Sequence, residues 1–302
     1  MTSGRSATQQ ILGWIAVALS TLLACFWAFW GINENFHEGW YDPSLLRNLA
    51  LMLVQYLSPV LIVILISAAS LRWPRFAFLF MGAVGAAIAW FLHRNHAAII
   101  FFLLPLLALA VLYTFGRPHP RRWAWRLLLG LPLLTLVARG VWPAWRAIRR
   151  FDDGNYGIRT IAGNGVTLVW APEGPGWPSS GVSWYHANQA CAFLDPAGLS
   201  LADQPQYIWR LPTIEDAVRS LVFRGSNAGG VWDPSSGRAH YRIAPEKDSP
   251  LWKVHSPIIY WWTATTSGPQ ADYITYNGYI QTVSKRMRPG DLAFRCVRDP
   301  NP

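Results

Sequence analysis

Long apolar runs, separated by short polar links, fill the first half of the chain. Most approach the roughly 20 residues that an α-helix needs to cross a hydrocarbon core of about 30 Å. The pattern predicts a transmembrane helical domain at residues 1–147. Its five expected spans are residues 11–32, 49–71, 76–92, 97–115 and 123–145.

The fifth apolar run has two interpretations. Arg126 and Arg139 bracket only about a dozen largely apolar residues, fewer than a span usually needs. Arginines near helix ends can reach the headgroups, and tryptophans at both ends of the run are typical of membrane interfaces. We favour a span. The alternative is an amphipathic helix lying on the cytoplasmic surface.

The first run also resembles a secretory signal in one respect. Residues 22–25 (Leu-Leu-Ala-Cys) loosely match a lipoprotein processing site with Cys25 as the acceptor. The basic region before the run contains Arg5 alone, however, and the apolar sequence continues beyond Cys25. We therefore expect an uncleaved span with a membrane-buried thiol.

Charge separates the two halves of the chain. Residues 1–150 contain 13 Lys and Arg against Glu34, Glu38 and Asp42, whereas residues 151–302 contain 13 charges of each sign. The net charge of +10 therefore lies beside the apolar runs, where basic residues contact lipid phosphates. A nucleic-acid-binding protein would carry this excess on its folded domain, so no nucleic-acid partner is expected.

The short loops predict the orientation in the membrane. One side carries six arginines, and the other carries Arg47 and Arg94 together with the three acidic residues. The arginine-rich side is expected to face the cytoplasm. Five spans in an inner membrane then place the C-terminal domain in the periplasm, although Arg146, Arg149 and Arg150 oppose this assignment. Four spans would leave that domain in the cytoplasm.

Residues 151–302 predict an α+β domain, because Gly, Pro, Asn and Asp interrupt short β-prone runs. Ser183 is a candidate N-cap for a helix at 184–194 whose buried face includes Trp184. Thr213 and Asp216 form an approximate capping box for a second helix. We expect Trp184 and Trp209 in the core.

Several motifs in this half resemble one superfamily. They are Gly-Val-Ser-Trp-Tyr at 181–185, Ala-Cys at 190–191, Arg-Leu-Pro-Thr at 210–213 and Phe-Arg-Cys-Val-Arg at 294–298. In this order they resemble the sulfatase-modifying-factor (formylglycine-generating enzyme) superfamily. The segments at 209–215 and 260–265 make the chain most similar to the Lcl-type C-terminal domain. The resemblance implies a C-type-lectin-like fold for the domain.

The resemblance also bears on chemistry. Formylglycine-generating enzymes use a copper-binding cysteine pair before the closing motif, and residues 259–292 contain no cysteine. Cys191 and Cys296 match the structural pair of the fold, which implies a disulfide between them. The related iron enzymes use several histidines, whereas His186, His240 and His255 lie far apart without ligand spacing. No catalytic residue, metal site or cofactor is therefore expected.

Candidate binding residues lie in the long segment 225–257, which is rich in Gly, Ser, Pro and charge. The combination of rings for stacking with charged side chains for hydrogen bonds suits a carbohydrate, peptide or protein ligand. An elaborated surface loop without function is the alternative. The candidates are Trp232, Asp233, Arg238, Tyr241 and Trp252.

Trp262 is a sixth candidate. Trp261 and Trp262 are adjacent in an expected strand, so their side chains should point to opposite faces. One ring is expected in the core, and the other is either a ligand-stacking surface or further packing.

Two polar groups offer weaker candidates. Lys285, Arg286 and Arg288 could face anionic headgroups or an acidic partner, or form a solvated turn. Oxygen ligands for calcium could come from Asp272, Asn277 and Asp291, although their spacing matches no defined loop.

Three functional hypotheses follow. The first is a non-catalytic, membrane-anchored recognition domain for a glycan, peptide or protein. The second is an enzyme of unknown chemistry on the same scaffold. The third assigns transport to the helices, and it is the weakest because spans one to four contain no charged residue.

Overall fold

The computed structural model describes residues 6–287, 290 and 292–300, with the side chain of Ala98 left out. The chain forms two compact units. The first contains Met1–Trp40 and Ser44–Trp145, and the second contains Tyr41–Pro43 and Arg146–Pro302.

The part of the first unit that the structure describes forms six helices, and the sixth extends past the boundary of the unit. They are α1 (Ala7–His37), α2 (Leu45–Leu51), α3 (Ser58–Arg72), α4 (Ala77–Phe91), α5 (His96–Phe115) and α6 (Arg121–Ile148). A π-helical turn, Met52–Tyr56, continues α2, and a 3-10 turn, Pro74–Phe76, precedes α4. The Ser6 hydroxyl caps α1 by accepting a hydrogen bond from the Gln9 N–H at 3.2 Å.

Three helices in the described part of the chain are long and apolar enough to cross a membrane: α1, α4 with its preceding turn, and α6. The segments Leu45–Tyr56 and Ser58–Arg72 make a fourth if the pair, bent by 61°, counts as one span. The stretch Ile99–Phe115 of α5 is a shorter apolar helix. The expected count of five thus exceeds what length and composition support.

Small and polar residues bring the helices of this unit together. The hydroxyls of Ser20 on α1 and Tyr113 on α5 share a buried hydrogen bond of 3.0 Å. Gly85 on α4 lies against Leu103, because a Cβ added there would come within 2.8 Å of that side chain. This close approach is the role expected of small residues between apolar helices.

The described residues of the second unit form two helices and eleven short strands. The helices are α7 (Trp184–Phe193) and α8 (Ile214–Ser220). The strands are β1 (Arg159–Ala162), β2 (Thr167–Trp170), β3 (Val222–Phe223), β4 (Ser226–Asn227), β5 (Val231–Asp233), β6 (Arg238–His240), β7 (Tyr260–Ser267), β8 (Gln270–Thr275), β9 (Ile280–Ser284), β10 (Leu292–Ala293) and β11 (Val297–Arg298).

The strands form two larger sheets and two hairpins. One sheet has the order β1-β2-β11 and is antiparallel. The other has the order β10-β7-β8-β9, in which only β10 runs parallel to its neighbour β7. Strands β3–β4 and β5–β6 pair as separate antiparallel hairpins.

Both predicted helices form at the predicted caps. The Ser183 hydroxyl accepts from the His186 N–H, and α7 ends at Phe193, one residue before its expected end. At α8, Thr213 and Asp216 make the complete capping box, since each side chain accepts from the other's backbone N–H. Trp184 is half-buried, however, because its ring lies at the edge of the core with Nε1 donating to the Thr263 carbonyl.

Two hydrophobic cores occupy opposite faces of the sheets. Along β2, Leu168 and Trp170 belong to one core and Val169 to the other. Along β7, Trp261 and Trp262 divide in the same way. This is the period-2 alternation of a strand, with both faces covered.

The Cys191–Cys296 disulfide is present, as predicted. It joins α7 to the segment between β10 and β11 and closes a separation of 105 residues. Both cysteines are buried in the second core, beside Leu194, Trp209 and Phe294. The bridge therefore ties a helix to the end of the fold within a packed core.

Reduction of this disulfide should destabilise the second unit. A closed loop of about 100 residues corresponds to an upper figure of about 4.7 kcal/mol of chain entropy. Urea unfolding of the full-length protein in detergent, followed by tryptophan fluorescence with and without reductant, measures the loss. Cys25→Ser should show the same reductant effect as the wild type. An unchanged midpoint in the wild type would contradict the prediction.

Candidate functional site

The long segment 225–257 divides into two parts with different environments. Its first part contains the exposed β5–β6 hairpin, whereas residues 245–249 are buried. A segment expected to be one surface loop thus supplies both a surface projection and a piece of the core.

The β5–β6 hairpin brings three of the candidate residues together. Trp232 pairs with Ala239, and Asp233 pairs with Arg238 across the strands. Trp232 is half-buried and packs against the first core, whereas Arg238 is exposed. The hairpin thus places a ring at its base and a cation beside its exposed turn.

Tyr241 connects this hairpin to the turn between β8 and β9. Its hydroxyl donates to the Gly278 carbonyl at 3.1 Å. A Cβ at Gly278, where φ is +87°, would come within 2.7 Å of the tyrosine ring and hydroxyl, so a side chain there would displace Tyr241. Burial raises the pKa of Tyr241 above its ordinary value, so this phenol stays a neutral donor.

Tyr279 lies on the turn that Tyr241 contacts. It follows Gly278 in the β8–β9 turn and is 69% exposed. Its N–H donates to the Thr275 hydroxyl at 2.9 Å, which holds the turn in shape. The Asn-Gly pair at 277–278 is the sequence signal of such a turn. We define Trp232, Asp233, Arg238, Tyr241 and Tyr279 as the aromatic surface.

Asp233 has a local structural role in the hairpin turn. Its carboxylate accepts from the hydroxyls of Ser235 and Ser236, both at 2.6 Å, and from the Ser235 N–H at 2.9 Å. These hydrogen bonds, led by the Ser235 hydroxyl, lower the pKa of Asp233 to about 2. The residue therefore keeps its charge while it shapes the turn.

Trp252 and Trp262 do not belong to an exposed binding surface. For Trp252 this corrects the expectation, and for Trp262 it matches the alternative of further packing. Trp252 is buried and stacks on Trp261, with ring centroids 3.8 Å apart. Trp262 is buried in the second core, and its Nε1 donates to the Val182 carbonyl at 2.8 Å. Both faces of the β7–β8 region are covered, so neither ring is available for stacking with a ligand.

The buried part of the segment carries charges that sequence reasoning did not select. Glu246, Lys247 and Asp248 are all buried. Glu246 forms an ion pair with Arg150 at 3.2 Å, and the Lys247 ammonium donates to the Ser256 carbonyl. Three charged residues in succession usually indicate a surface, and only their contacts show that these are internal.

Asp248 organises two backbone segments. Its two carboxylate oxygens accept from the N–H groups of Phe151 and Arg224, each at 2.7 Å. Arg224, at φ +50°, and Gly225, at φ +74°, form the two-residue turn of the β3–β4 hairpin. Burial raises the pKa of Asp248 to about 6, although the hydrogen bonds from these two N–H groups act to lower it.

The weaker candidates separate in the structure. The Lys285 ammonium donates to the Gly268 carbonyl and lies 4.7 Å from the Trp184 ring centroid, while Arg288 lies outside the described residues. Asp272 accepts from the Thr282 hydroxyl at 2.5 Å, and Asp291 also lies outside the described residues. Within the described part, no group of three or more His, Cys, Asp or Glu side chains could hold a metal ion.

Comparisons of the chain with models of protein families, with curated proteins and with solved structures gave no match. The fold and the aromatic surface therefore supply the functional argument.

The two tryptophans of the segment should respond differently to truncation. Trp252→Ala should cost about 3 to 5 kcal/mol, because it removes a fully buried ring stacked on Trp261. Trp232→Ala should cost clearly less, because its ring is half-buried. Urea unfolding of the two full-length variants checks the difference. Equal costs would show that Trp232 is as deeply packed as Trp252.

Stability should depend on pH through Asp248. Its folded pKa of about 6 exceeds the ordinary value of 3.8, so between these values only the folded state holds the proton. The contribution is complete below pH 3.8 and is lost as pH rises through about 6. At about 1.4 kcal/mol per pKa unit, the change approaches about 3 kcal/mol.

The measurement compares the free energy of unfolding at about pH 4.5 with that at about pH 7.5. Asp248→Asn should lose stability at both pH values, because an amide leaves one backbone N–H without an acceptor. The free energy of unfolding of this variant should also change less between the two pH values than that of the wild type. Asp203→Asn, an exposed carboxylate elsewhere in the domain, should keep the wild-type pH dependence. Identical pH dependence in Asp248→Asn would contradict the assignment.

Proposed function

We propose that this protein is a membrane-anchored recognition protein whose C-terminal domain binds a glycan, peptide or protein partner through the aromatic surface. The observation that carries the proposal is the contact of Tyr241 with Gly278, which joins the β5–β6 hairpin to the turn bearing Tyr279. Aromatic rings supply binding area at low entropy cost, and Arg238 adds a charged donor on the same hairpin as Trp232.

The fold supports a binding role on a stable scaffold. The paired cores, the disulfide and two capped helices hold the domain, while the aromatic surface lies on a hairpin and a turn. Loops positioned by a rigid scaffold are where binding residues concentrate. The proposed relationship to the sulfatase-modifying-factor superfamily and its lectin-like fold fits this division.

A non-catalytic role is also part of the proposal. Both cysteines of the domain form the buried disulfide, so neither is a free thiol for the chemistry of formylglycine-generating enzymes. A free thiolate is required for cysteine to act as a nucleophile or copper ligand. The enzyme hypothesis would need a different reacting group.

We propose five spans, with α5 as the fourth and α6 as the fifth, and a periplasmic C-terminal domain. The length and apolar composition of α6, which continues as one helix through Arg126 and Arg139, support its assignment as a span. The disulfide fits an oxidising compartment. Labelling of Asp203→Cys with a membrane-impermeant maleimide in intact spheroplasts tests the side, with Cys25→Ser as the background. Labelling only after permeabilisation would assign the domain to the cytoplasm.

Loss of Tyr279 should weaken binding without unfolding the domain. Arrays of glycans and peptides, probed with the full-length protein in detergent, should identify a ligand that Tyr279→Ala binds at least about tenfold more weakly. Tyr185→Ala is the matched control, because Tyr185 is an exposed tyrosine on α7 outside the aromatic surface. Equal losses in both variants, or ligands retained fully by Tyr279→Ala and Arg238→Ala, would reject the surface.

A further inference from the structure

The C-terminal unit holds the ends of two helices that are long and apolar enough to cross a membrane. It contains the last turn of α6, from Arg146 onward, and also Tyr41–Pro43, which lie shortly after α1 ends at His37. The His255 Nδ1 donates to the Tyr41 carbonyl at 3.2 Å. Where these helices span a membrane, the side of the unit that holds their ends must face it.

Arg146 fixes one segment of the unit beside the end of α6. Its Nη2 donates to the carbonyls of Ala244 and Pro245, at 3.2 and 2.8 Å. One turn earlier in the helix, Trp142 and Trp145 stack with ring centroids 4.9 Å apart. Tryptophans at the end of an apolar helix are typical of a membrane interface. The segment around Ala244 is therefore attached about one helical turn from the expected interface.

Glu246 engages two of the arginines at this helix end. Its carboxylate lies 2.9 Å from the Arg146 Nε and 3.2 Å from the Arg150 Nε. Both arginines opposed a periplasmic domain in the count of loop charges, yet both form ion pairs with this buried carboxylate. A contact with lipid phosphates must therefore come from another basic residue.

Three large apolar side chains are exposed around the same helix end. They are Ile148, the last residue of α6, Phe151, and Ile243, which precedes Ala244. Phe151 packs against the β3–β4 turn, because a Cβ at Gly225 would come within 2.8 Å of its Cε1. Clustered apolar side chains on a surface indicate a site of contact with a partner or a membrane.

Arg242 supplies an exposed cation next to Ile243. Its side chain lies along Gly229, where an added Cβ would come 3.0 Å from the Arg242 Cβ and 3.5 Å from its Nε. None of the ion pairs between described residues involves Arg242. Guanidinium groups bind phosphates through paired hydrogen bonds. We define Ile148, Phe151, Arg242 and Ile243 as the juxtamembrane patch.

The two carboxylates that follow Phe151 are engaged with other side chains of the domain. Asp152 accepts a hydrogen bond from the Tyr156 hydroxyl at 2.7 Å. Asp153 forms an ion pair with Arg159 at 2.5 Å. These contacts reduce the repulsion that the carboxylates would exert on lipid phosphates.

We propose that the juxtamembrane patch docks the C-terminal domain on the surface of the phospholipid bilayer. Ile148, Phe151 and Ile243 enter the boundary between headgroups and acyl chains, and Arg242 donates to a lipid phosphate. Docking requires that α6 spans the membrane, as proposed above. Because Tyr241 directly precedes Arg242, docking holds the aromatic surface beside the bilayer.

Fluorescence quenching tests the docking on the full-length protein in nanodiscs of phosphatidylethanolamine and phosphatidylglycerol. A fluorophore is attached to Ala244→Cys in a Cys25→Ser background. It should be quenched by a lipid that carries a nitroxide near its headgroup. Ala244 is exposed and contacts Arg146 only through its carbonyl, so the label leaves the patch intact.

Loss of the patch should release the domain from the bilayer. Arg242→Gln should lower the ratio of docked to undocked protein about fivefold, as expected for one arginine near an anionic lipid surface. The Arg242→Gln, Ile243→Ser double variant should lower it at least about tenfold, because it also removes an inserted side chain. Both residues are exposed, so the variants are expected to fold.

The matched controls lie on the opposite face of the domain. Helix α7 packs on the second core, whereas the Ile243 N–H donates to the carbonyl of Ala228, a residue of the first core. A label on Tyr185→Cys of α7 should therefore stay unquenched. Leu201→Ser and Arg286→Gln, which change exposed residues on the α7 side, should leave the quenching at residue 244 unchanged.

A label on Val137→Cys, an exposed position within α6, tests the span separately. A lipid with its nitroxide deep in the acyl chain should quench this label. Quenching at Val137 without quenching at Ala244 would reject docking and retain the span. Equal quenching at Ala244 in the wild type and the double variant would also reject docking, because α6 alone would then hold the segment there. No quenching at either position would reject both the span and the docking.

Discussion

The second unit depends on a buried guanidinium. Arg295 is fully buried; its Nε donates to the Ala171 carbonyl at 2.8 Å and its Nη1 to the Pro250 and Leu251 carbonyls at 2.9 Å. Its Cζ atom lies 3.6 Å from the Trp177 ring centroid. Burial lowers its pKa well below the ordinary value, so these contacts must offset a large desolvation cost. Because distant segments converge on one side chain, the position of each depends on the others.

Local features of this fold were predictable because their signals are local. Ser183 and Thr213 mark helix starts through hydrogen bonds to residues three positions away, so sequence alone identified both caps. The disulfide followed from resemblance. The span count was harder, because the bend before Pro59 decides whether two apolar segments act as one span. The hydrophobic pattern of a sequence does not predict the angle between two helical segments.

The candidate site was predicted only in part, because the burial of each candidate residue depends on tertiary packing. Trp232 and Trp252 lie in the same Gly- and Ser-rich segment, and no pattern distinguishes them. One packs at the base of a hairpin, and the other stacks on Trp261, brought there by the carbonyls that bind Arg295. Tyr279 was missed because its exposure depends on the turn at Gly278. Whether a residue is exposed depends on which segments pack over it, and those segments are distant in sequence.

The positions of strands β10 and β11 in the two sheets determine when the C-terminal domain can complete its fold. Strand β10 adds the parallel edge to β7, and β11 adds the third strand beside β2, with Arg295 and Cys296 between them. Both sheets therefore lack a strand, and both cores remain uncovered, until residues 292–298 have been synthesised. We therefore expect the domain to complete its fold only once these residues are available, and partly folded chains of this kind are prone to aggregation.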